Sequence, residues 1–224
     1  MFENKTVVVT GGASGIGAAL VRAFAIKGAN VCIADLDGNA AADIAREVNG
    51  IGVQCNVRKE ANICDLIAGA QDRFGPIDIF VSNAGLAQPE PDHAASASTE
   101  TWQLNWEVHV LAHVFAARLL LPEMIKRGSG HLVNVASAAG LLNQIGDAAY
   151  SASKHAAVSF AESLAITHGD DGIDVSVVCP QYVATPLIDM SDDTAAVGSL
   201  ISAQTAADKI LEGIAAKEFL ILPH

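Results

Sequence analysis

Tyr150 and Lys154 stand four residues apart, and Ser137 precedes the tyrosine by thirteen. On a helix, side chains at i and i+4 are neighbours about 5–6 Å apart at Cβ, so the phenol and the ammonium would share one face. A neighbouring positive charge favours a phenolate, which predicts that Lys154 lowers the Tyr150 pKa. A tyrosine whose ordinary pKa is about 10 would then exchange protons close to neutral pH, as general acid–base chemistry requires. Ser137 would hold a substrate oxygen beside that phenol. The same spacing also describes an unremarkable surface helix, so the context must come from elsewhere in the chain.

The N-terminal segment KTVVVTGGASGIGAALVRAFAIKGANVCIADLDG supplies it. A β-branched run from Thr6 to Thr10 precedes Gly11, Gly12, Gly15 and Gly17, with Ser14 and Ile16 between the last glycines, and a helical pattern follows (Leu20, Val21, Phe24). In strand–turn–helix order, glycines let the backbone approach a pyrophosphate, and the helix N-terminus offers it free N–H groups and a positive dipole end. A second apolar strand ends at Asp35, eighteen residues after Gly17. An acid about 20 residues beyond such a turn accepts hydrogen bonds from the adenosine ribose.

On these residues the chain resembles the short-chain dehydrogenase/reductase family, single-domain branch. Thr10-Gly11-x-x-x-Gly15-x-Gly17 matches its cofactor motif, and Ser137, Tyr150 and Lys154 match its catalytic serine and Tyr-x-x-x-Lys. Ser82-Asn83-Ala84-Gly85 sits where Asn-Asn-Ala-Gly is usual, and Asn56-Val57 where an Asp-Val touching the adenine is usual. The resemblance runs from Lys5 to about Leu222. It implies an NAD(H)-dependent oxidoreductase that interconverts a secondary alcohol and a ketone, with Tyr150 as general acid/base, Ser137 orienting the substrate oxygen and Lys154 also bonding the nicotinamide ribose. It implies further cofactor contacts from Pro180, Val183 and Thr185, although Gln181 replaces the usual glycine after that proline. The cofactor is expected to be NAD. A 2′-phosphate would meet the charge of Asp35, with Asp37 behind it, and Ser14 and Leu36 stand where NADP-preferring relatives carry a base.

The family's asparagine on the long helix before the fifth strand falls on His109. A histidine keeps the backbone carbonyl used by that asparagine and can itself pass protons near neutral pH; the competing reading is a packed helix histidine. Asn105, His109 and His113 form an i, i+4 row. No further ligand with suitable spacing accompanies them, so no metal is expected.

Alternating patterns predict strands near 5–10, 30–35, 51–56, 77–82, 130–136, 173–178 and 218–222. Helices are predicted near 15–27, 38–48, 59–74, 100–126, 150–168 and 205–216. This is the order of an α/β protein, a single-domain Rossmann-type doubly wound parallel sheet of about seven strands with helices on both faces. One domain, 1–224, is expected to bind the dinucleotide and carry out catalysis, with ligands at the carboxyl ends of the strands. Two stretches read as irregular, a surface loop over 86–99 and a substrate loop near 180–204.

The chain of 224 residues is 51% hydrophobic and carries a net charge of −12, which argues against a nucleic-acid partner. No uninterrupted apolar run reaches the roughly 18 residues of a membrane span, and no secretion signal is recognised, so a cytoplasmic location and no membrane partner are expected. Four cysteines without C-x-x-C spacing suit a reducing compartment. From Val108 to Leu121 only His109, His113 and Arg118 break an apolar run. A helix so apolar all round predicts a second subunit over it, hence a homodimer or homotetramer through helices 102–121 and 150–168. Leu141, Leu142, Ile145, Tyr182, Leu187, Ile188 and Met190 are the candidate pocket residues. With no Arg or Lys in these loops, the small-molecule substrate is expected to be uncharged and hydrophobic. The alternative is an NAD(H)-binding regulator with little or no catalysis, against which the intact Ser137, Tyr150 and Lys154 set stands.

Overall fold

A computed structural model describes residues 1–89, 92–187 and 200–224. Seven strands form one parallel sheet: β1 (Thr6–Thr10), β2 (Asn30–Asp35), β3 (Ile51–Gln54), β4 (Ile79–Ser82), β5 (Gly130–Val135), β6 (Ile173–Val178) and, last in the chain, β9 (Leu220–Ile221). Their order is β3-β2-β1-β4-β5-β6-β9. Central strands such as TVVVT are buried at every position, as expected when helices cover both faces. The order reverses between β1 and β4, which opens a crevice beyond their carboxyl ends.

The helices are α1 (Gly15–Ile26), α2 (Gly38–Val48), α3 (Glu60–Phe74), α4 (Thr99–Trp106), α5 (Ala112–Arg127), α6 (Ala148–His168) and α7 (Ala203–Ala216). One apolar core joins the sheet to α1, α2 and α7; the other joins it to α3, α5 and α6. Each predicted strand and helix is present, with ends that shift by a few residues.

Two features depart from the sequence reading. The predicted helix over 100–126 is interrupted by a π turn, Glu107–Leu111, so its two halves are out of simple register. Within the stretch read as irregular near 180–204, two-residue strands β7 (Val183–Ala184) and β8 (Ile201–Ser202) pair in parallel and tie its two ends together. Ile188 and Met190 lie outside the described residues.

By length and composition Thr99–Arg127 passes the test for a membrane-crossing helix, but half of its apolar window is buried inside the protein. It also buries Asn105, His109 and His113 against the sheet and α6. It is a core helix.

Candidate active site

The glycine turn is shaped by close backbone approach. A Cβ on Gly17 would lie 2.0 Å from the Gly11 oxygen, and one on Gly11 would lie 2.8 Å from the Ala84 Cα. Gly15 has a positive φ of 51°, where a side chain is strained. Ser14 sits at the N-cap of α1 without a side-chain cap bond, and the first helical turn has no acidic residue. The amide groups there are left to face an anion, and Ile16 begins the helix beside them. The Asp35 carboxylate, at the end of β2, accepts from the Ala13 amide at 3.0 Å and the Asp37 amide at 3.2 Å. Leu36 projects into solvent. The cradle fits a dinucleotide: glycines stand where the backbone closes on itself, and an acid stands where ribose hydroxyls would lie.

The loop after β4 is stitched to this turn. The Asn83 side-chain amide donates to the Thr10 and Gly11 carbonyls at 2.9 and 3.1 Å, and the Thr10 hydroxyl accepts from the Asn83 and Ala84 amides. Gly85 is exposed, and a Cβ there would lie 3.6 Å from His109 Nε2 and 3.7 Å from Lys154 Nζ. The loop therefore joins the glycine turn to His109 and Lys154. On the far side, the Asn56 side chain accepts from the Arg58 amide, and Val57 is buried in the core.

Asp147 caps α6 by accepting from the Tyr150 amide at 3.2 Å, which starts the helix that holds Tyr150 and Lys154 on one buried face. Ser137 lies two residues beyond β5, where its hydroxyl accepts from the Ala139 amide at 3.1 Å and caps the short turn Ala138–Gly140. A Cβ on Gly140 would lie 2.7 Å from the Lys154 carbonyl oxygen. That close approach brings the Ser137 turn towards the tyrosine, near enough for the Ser137 hydroxyl to lower the phenol pKa.

Burial pushes the Tyr150 phenol up, and the Asp147 charge adds to the rise, while the bond to Ser137 opposes it. Burial pushes the Lys154 ammonium down to about 7. The sequence predicted that Lys154 would lower Tyr150. In the folded chain desolvation is the largest influence on the phenol, and it acts in the opposite direction. The ammonium lies 5.5 Å from the centre of the phenol ring and donates to the Val135 carbonyl at 3.1 Å.

The short chain dehydrogenase family model matches residues 5–196. This chain belongs to that family. It is 35% identical to the 1-deoxy-11-beta-hydroxypentalenate dehydrogenase of Streptomyces exfoliatus, over 100% of this chain and 84% of that one. It is 33% identical to the D-beta-hydroxybutyrate dehydrogenase of Rhizobium meliloti, over 97% of this chain and 86% of that one. The crystal structure of a short chain dehydrogenase/reductase from Burkholderia phymatum in complex with NAD is similar with a TM-score of 0.91 at 27% identity, covering 100% of this chain and 90% of that one.

In this short-chain dehydrogenase Pro180 is buried, and its carbonyl accepts from the Ala138 amide at 2.8 Å, so the loop after β6 is anchored to the Ser137 turn. Val183 is buried in β7. Thr185 packs on the glycine turn, since a Cβ on Gly15 would lie 3.1 Å from its Cγ2. Leu141, Tyr182 and Leu187 are partly exposed on the rim. Ile145 is not beside Tyr150: it is fully exposed and borders an outer cleft of about 710 Å³ with Trp102, Ala152 and His155, on the opposite face of α6.

Residue types and spacing missed three site-building side chains. Ser153 bonds both His109 and the Tyr150 carbonyl. Asp147 had a legible signal, an acid three residues before the catalytic tyrosine at a helix start. His224 accepts from the Gln181 amide and donates to the Tyr182 carbonyl, bracing the substrate loop.

Proposed function

We propose that this protein is an NAD(H)-dependent oxidoreductase that interconverts a secondary alcohol and a ketone, with Tyr150 as the general acid/base. The carrying observation is that Lys154 stands between the Tyr150 ring and Gly85, with Ser137 beside the phenol, next to a glycine cradle that fits a dinucleotide. Gly11, Ser14, Gly15, Ile16 and Gly17 would face the pyrophosphate, Asp35 and Leu36 the adenosine ribose, and Asn56 and Val57 the adenine. Asn83, Ala84, Gly85, Pro180, Val183 and Thr185 would line the nicotinamide half. When bound, NAD supplies the acceptor for the hydride that leaves the carbinol carbon.

The remaining steps belong to side chains of the chain itself. Ser137 orients the alcohol oxygen, and Tyr150 removes its proton. Lys154, whose ammonium lies 5.5 Å from the centre of the phenol ring, would favour the phenolate and bond the nicotinamide ribose. Asp35 and Asp37, with no base at Ser14 or Leu36, favour NAD over its 2′-phosphorylated form through like-charge repulsion.

An apolar rim at Leu141, Tyr182 and Leu187, in loops without Arg or Lys, supports an uncharged hydrophobic substrate. The relatives' names support a second reading, a hydroxy acid. A homodimer or homotetramer through 102–121 and 150–168 accords with exposed Trp102, Trp106 and Ile166 and half-buried Leu111, Val114 and Phe115. A monomer in light scattering at micromolar concentration would overturn it. Four free cysteines, three of them buried, suit the reducing cytoplasm.

The test is NADH formation from NAD⁺ with a panel of secondary alcohols that includes hydroxy acids. Tyr150→Phe should be at least about 100-fold slower. Equal rates for the two proteins would sink the mechanism. NADH binding without turnover on any substrate would favour the regulatory alternative.

A further inference from the structure

His109 is fully buried in the π turn, between the loop after β4 and the catalytic helix. Its Nε2 lies 3.2 Å from the Leu86 amide nitrogen, its Nδ1 lies 2.9 Å from Ser153 Oγ, and Ser153 Oγ lies 2.7 Å from the Tyr150 carbonyl oxygen. The direction of each bond is forced. A backbone amide can only donate, so Nε2 is the acceptor and carries no proton. The proton of the neutral ring is then on Nδ1, which donates to Ser153. The single serine proton goes to the Tyr150 carbonyl, which can only accept. Every donor is used once and every acceptor is matched. The ring also stands edge-on to the Tyr150 ring, with centroids 5.3 Å apart and planes at 88°.

We propose that His109 is a positioning residue: a permanently neutral bridge that fixes the Tyr150 turn of α6 against the Asn83–Leu86 loop, and not a carrier of protons. The inference rests on the reading of Tyr150 as the catalytic base. A second proton on the ring would sit on Nε2, facing the Leu86 amide hydrogen. It would also add a charge beside Lys154 of α6, with His113 of α5 and the Tyr150 phenol of α6 as the other ionisable neighbours. Burial, then Lys154, then His113 hold the ring well below its ordinary pKa. A relay would need one ring nitrogen to exchange its partner for a proton in each cycle. The bridge explains how a histidine can occupy this position without coupling catalysis to its titration. It also explains why Ser153 is buried between two groups that each claim one side of its hydroxyl.

Two measurements decide the matter. The first is independent of turnover: ¹⁵N-histidine NMR of the intact protein, with the His109 signals identified by their absence in His109→Asn. The expected result is the Nδ1–H tautomer, unchanged from pH 5.5 to 9. An imidazolium signal, or the Nε2–H tautomer, would overturn the bridge whatever the fate of the Tyr150 reading.

The second is a kinetic cycle of Ser153→Ala, His109→Phe and the double variant on the substrate found with the alcohol panel. His109→Phe keeps the ring packing and deletes both nitrogens. Each single change should lower kcat by about tenfold, with the pH dependence of kcat unaltered, and the double should be no slower than the worse single, because one chain of bonds is broken once. His109→Asn, which can still bond Ser153, should recover most of the loss. Multiplying effects, or a pH limb that disappears with the histidine, would show proton transfer through His109 instead. If Tyr150→Phe proves fully active while the tautomer is as expected, the catalytic reading fails and the bridge stands as architecture.

Discussion

On one face of the sheet, under α1, α2 and α7, the buried side chains are nearly all apolar: Leu20, Phe24, Val31, Ile33, Ile44, Ile210 and Ile214. By strand alternation His131 and Ser176 share that face, and they bond each other at 2.8 Å, with the serine donating to the Glu218 carbonyl. The opposite face, under α4 to α6, also holds a large apolar cluster, but among it lie Asn105, His109, His113, Asn134, Tyr150, Ser153 and Lys154, all buried. Several of these are costly. Both nitrogens of His113, Asn105 Oδ1 and Asn134 Nδ2 have no hydrogen-bond partner among the described residues. The difference teaches that both faces contribute apolar burial, and that one of them also carries polar groups whose burial costs stability and shifts Tyr150 and Lys154.

The largest effect that could break this contrast is Phe24→Ala on the apolar face. It should cost about 3–5 kcal/mol in chemical denaturation while leaving turnover per folded molecule unchanged. A loss of kcat without a loss of stability would mean that the two faces are not separable.

Lys154→Met should act in the opposite sense, abolishing turnover yet stabilising the fold by a few kcal/mol at pH 6. The sign follows from the shift. Burial pushes the lysine down to about 7 in the folded chain from its ordinary 10.5, so its burial penalty is full below pH 7 and relieved as pH rises towards the unfolded value. The advantage of the methionine should therefore shrink between pH 7 and pH 10. A constant or negative difference in denaturant midpoint would show that the bond to Val135 matters more than desolvation.

His113→Leu sharpens the same contrast at smaller scale. Removing two unpartnered nitrogens should stabilise the protein by about 1–2 kcal/mol at pH 7. Burial pushes His113 down to about 3. Between its unfolded pKa and that value, only the unfolded chain binds the proton, so wild-type stability falls as pH drops through this window. The leucine variant loses that slope, and its margin should widen towards pH 5 in thermal melts. A margin that narrows instead would mean that His113 is protonated in the folded protein.

The glycine turn was legible because all its parts lie in one continuous stretch, where strand, turn and helix periods can be read without knowing the fold. Asp35 was legible for the same reason, and its bond to the Ala13 amide places it beside the turn. Tyr150 and Lys154 could be put on one face because both belong to a single helix. Ile145 could not be placed: it lies in the loop before α6, whose path no periodicity fixes, and that path takes it to the outer cleft. The pairing of β7 with β8 was hidden because two-residue strands carry no periodicity.

The sequence by itself thus determined the order of elements, the parallel sheet and the identity of the residues that meet at its carboxyl edge, since each of these follows from local pattern. What only the tertiary structure decided is the state of those residues. The expectation that Lys154 lowers Tyr150 used neighbouring charge alone. Burial acts in the opposite direction, and burial is set by α5, α6 and the sheet together. The fixed tautomer of His109 likewise needs Leu86 and Ser153, which lie 23 and 44 residues from it in the chain. Desolvation and hydrogen-bond direction are properties of an enclosed space, and no single segment of this chain encloses one.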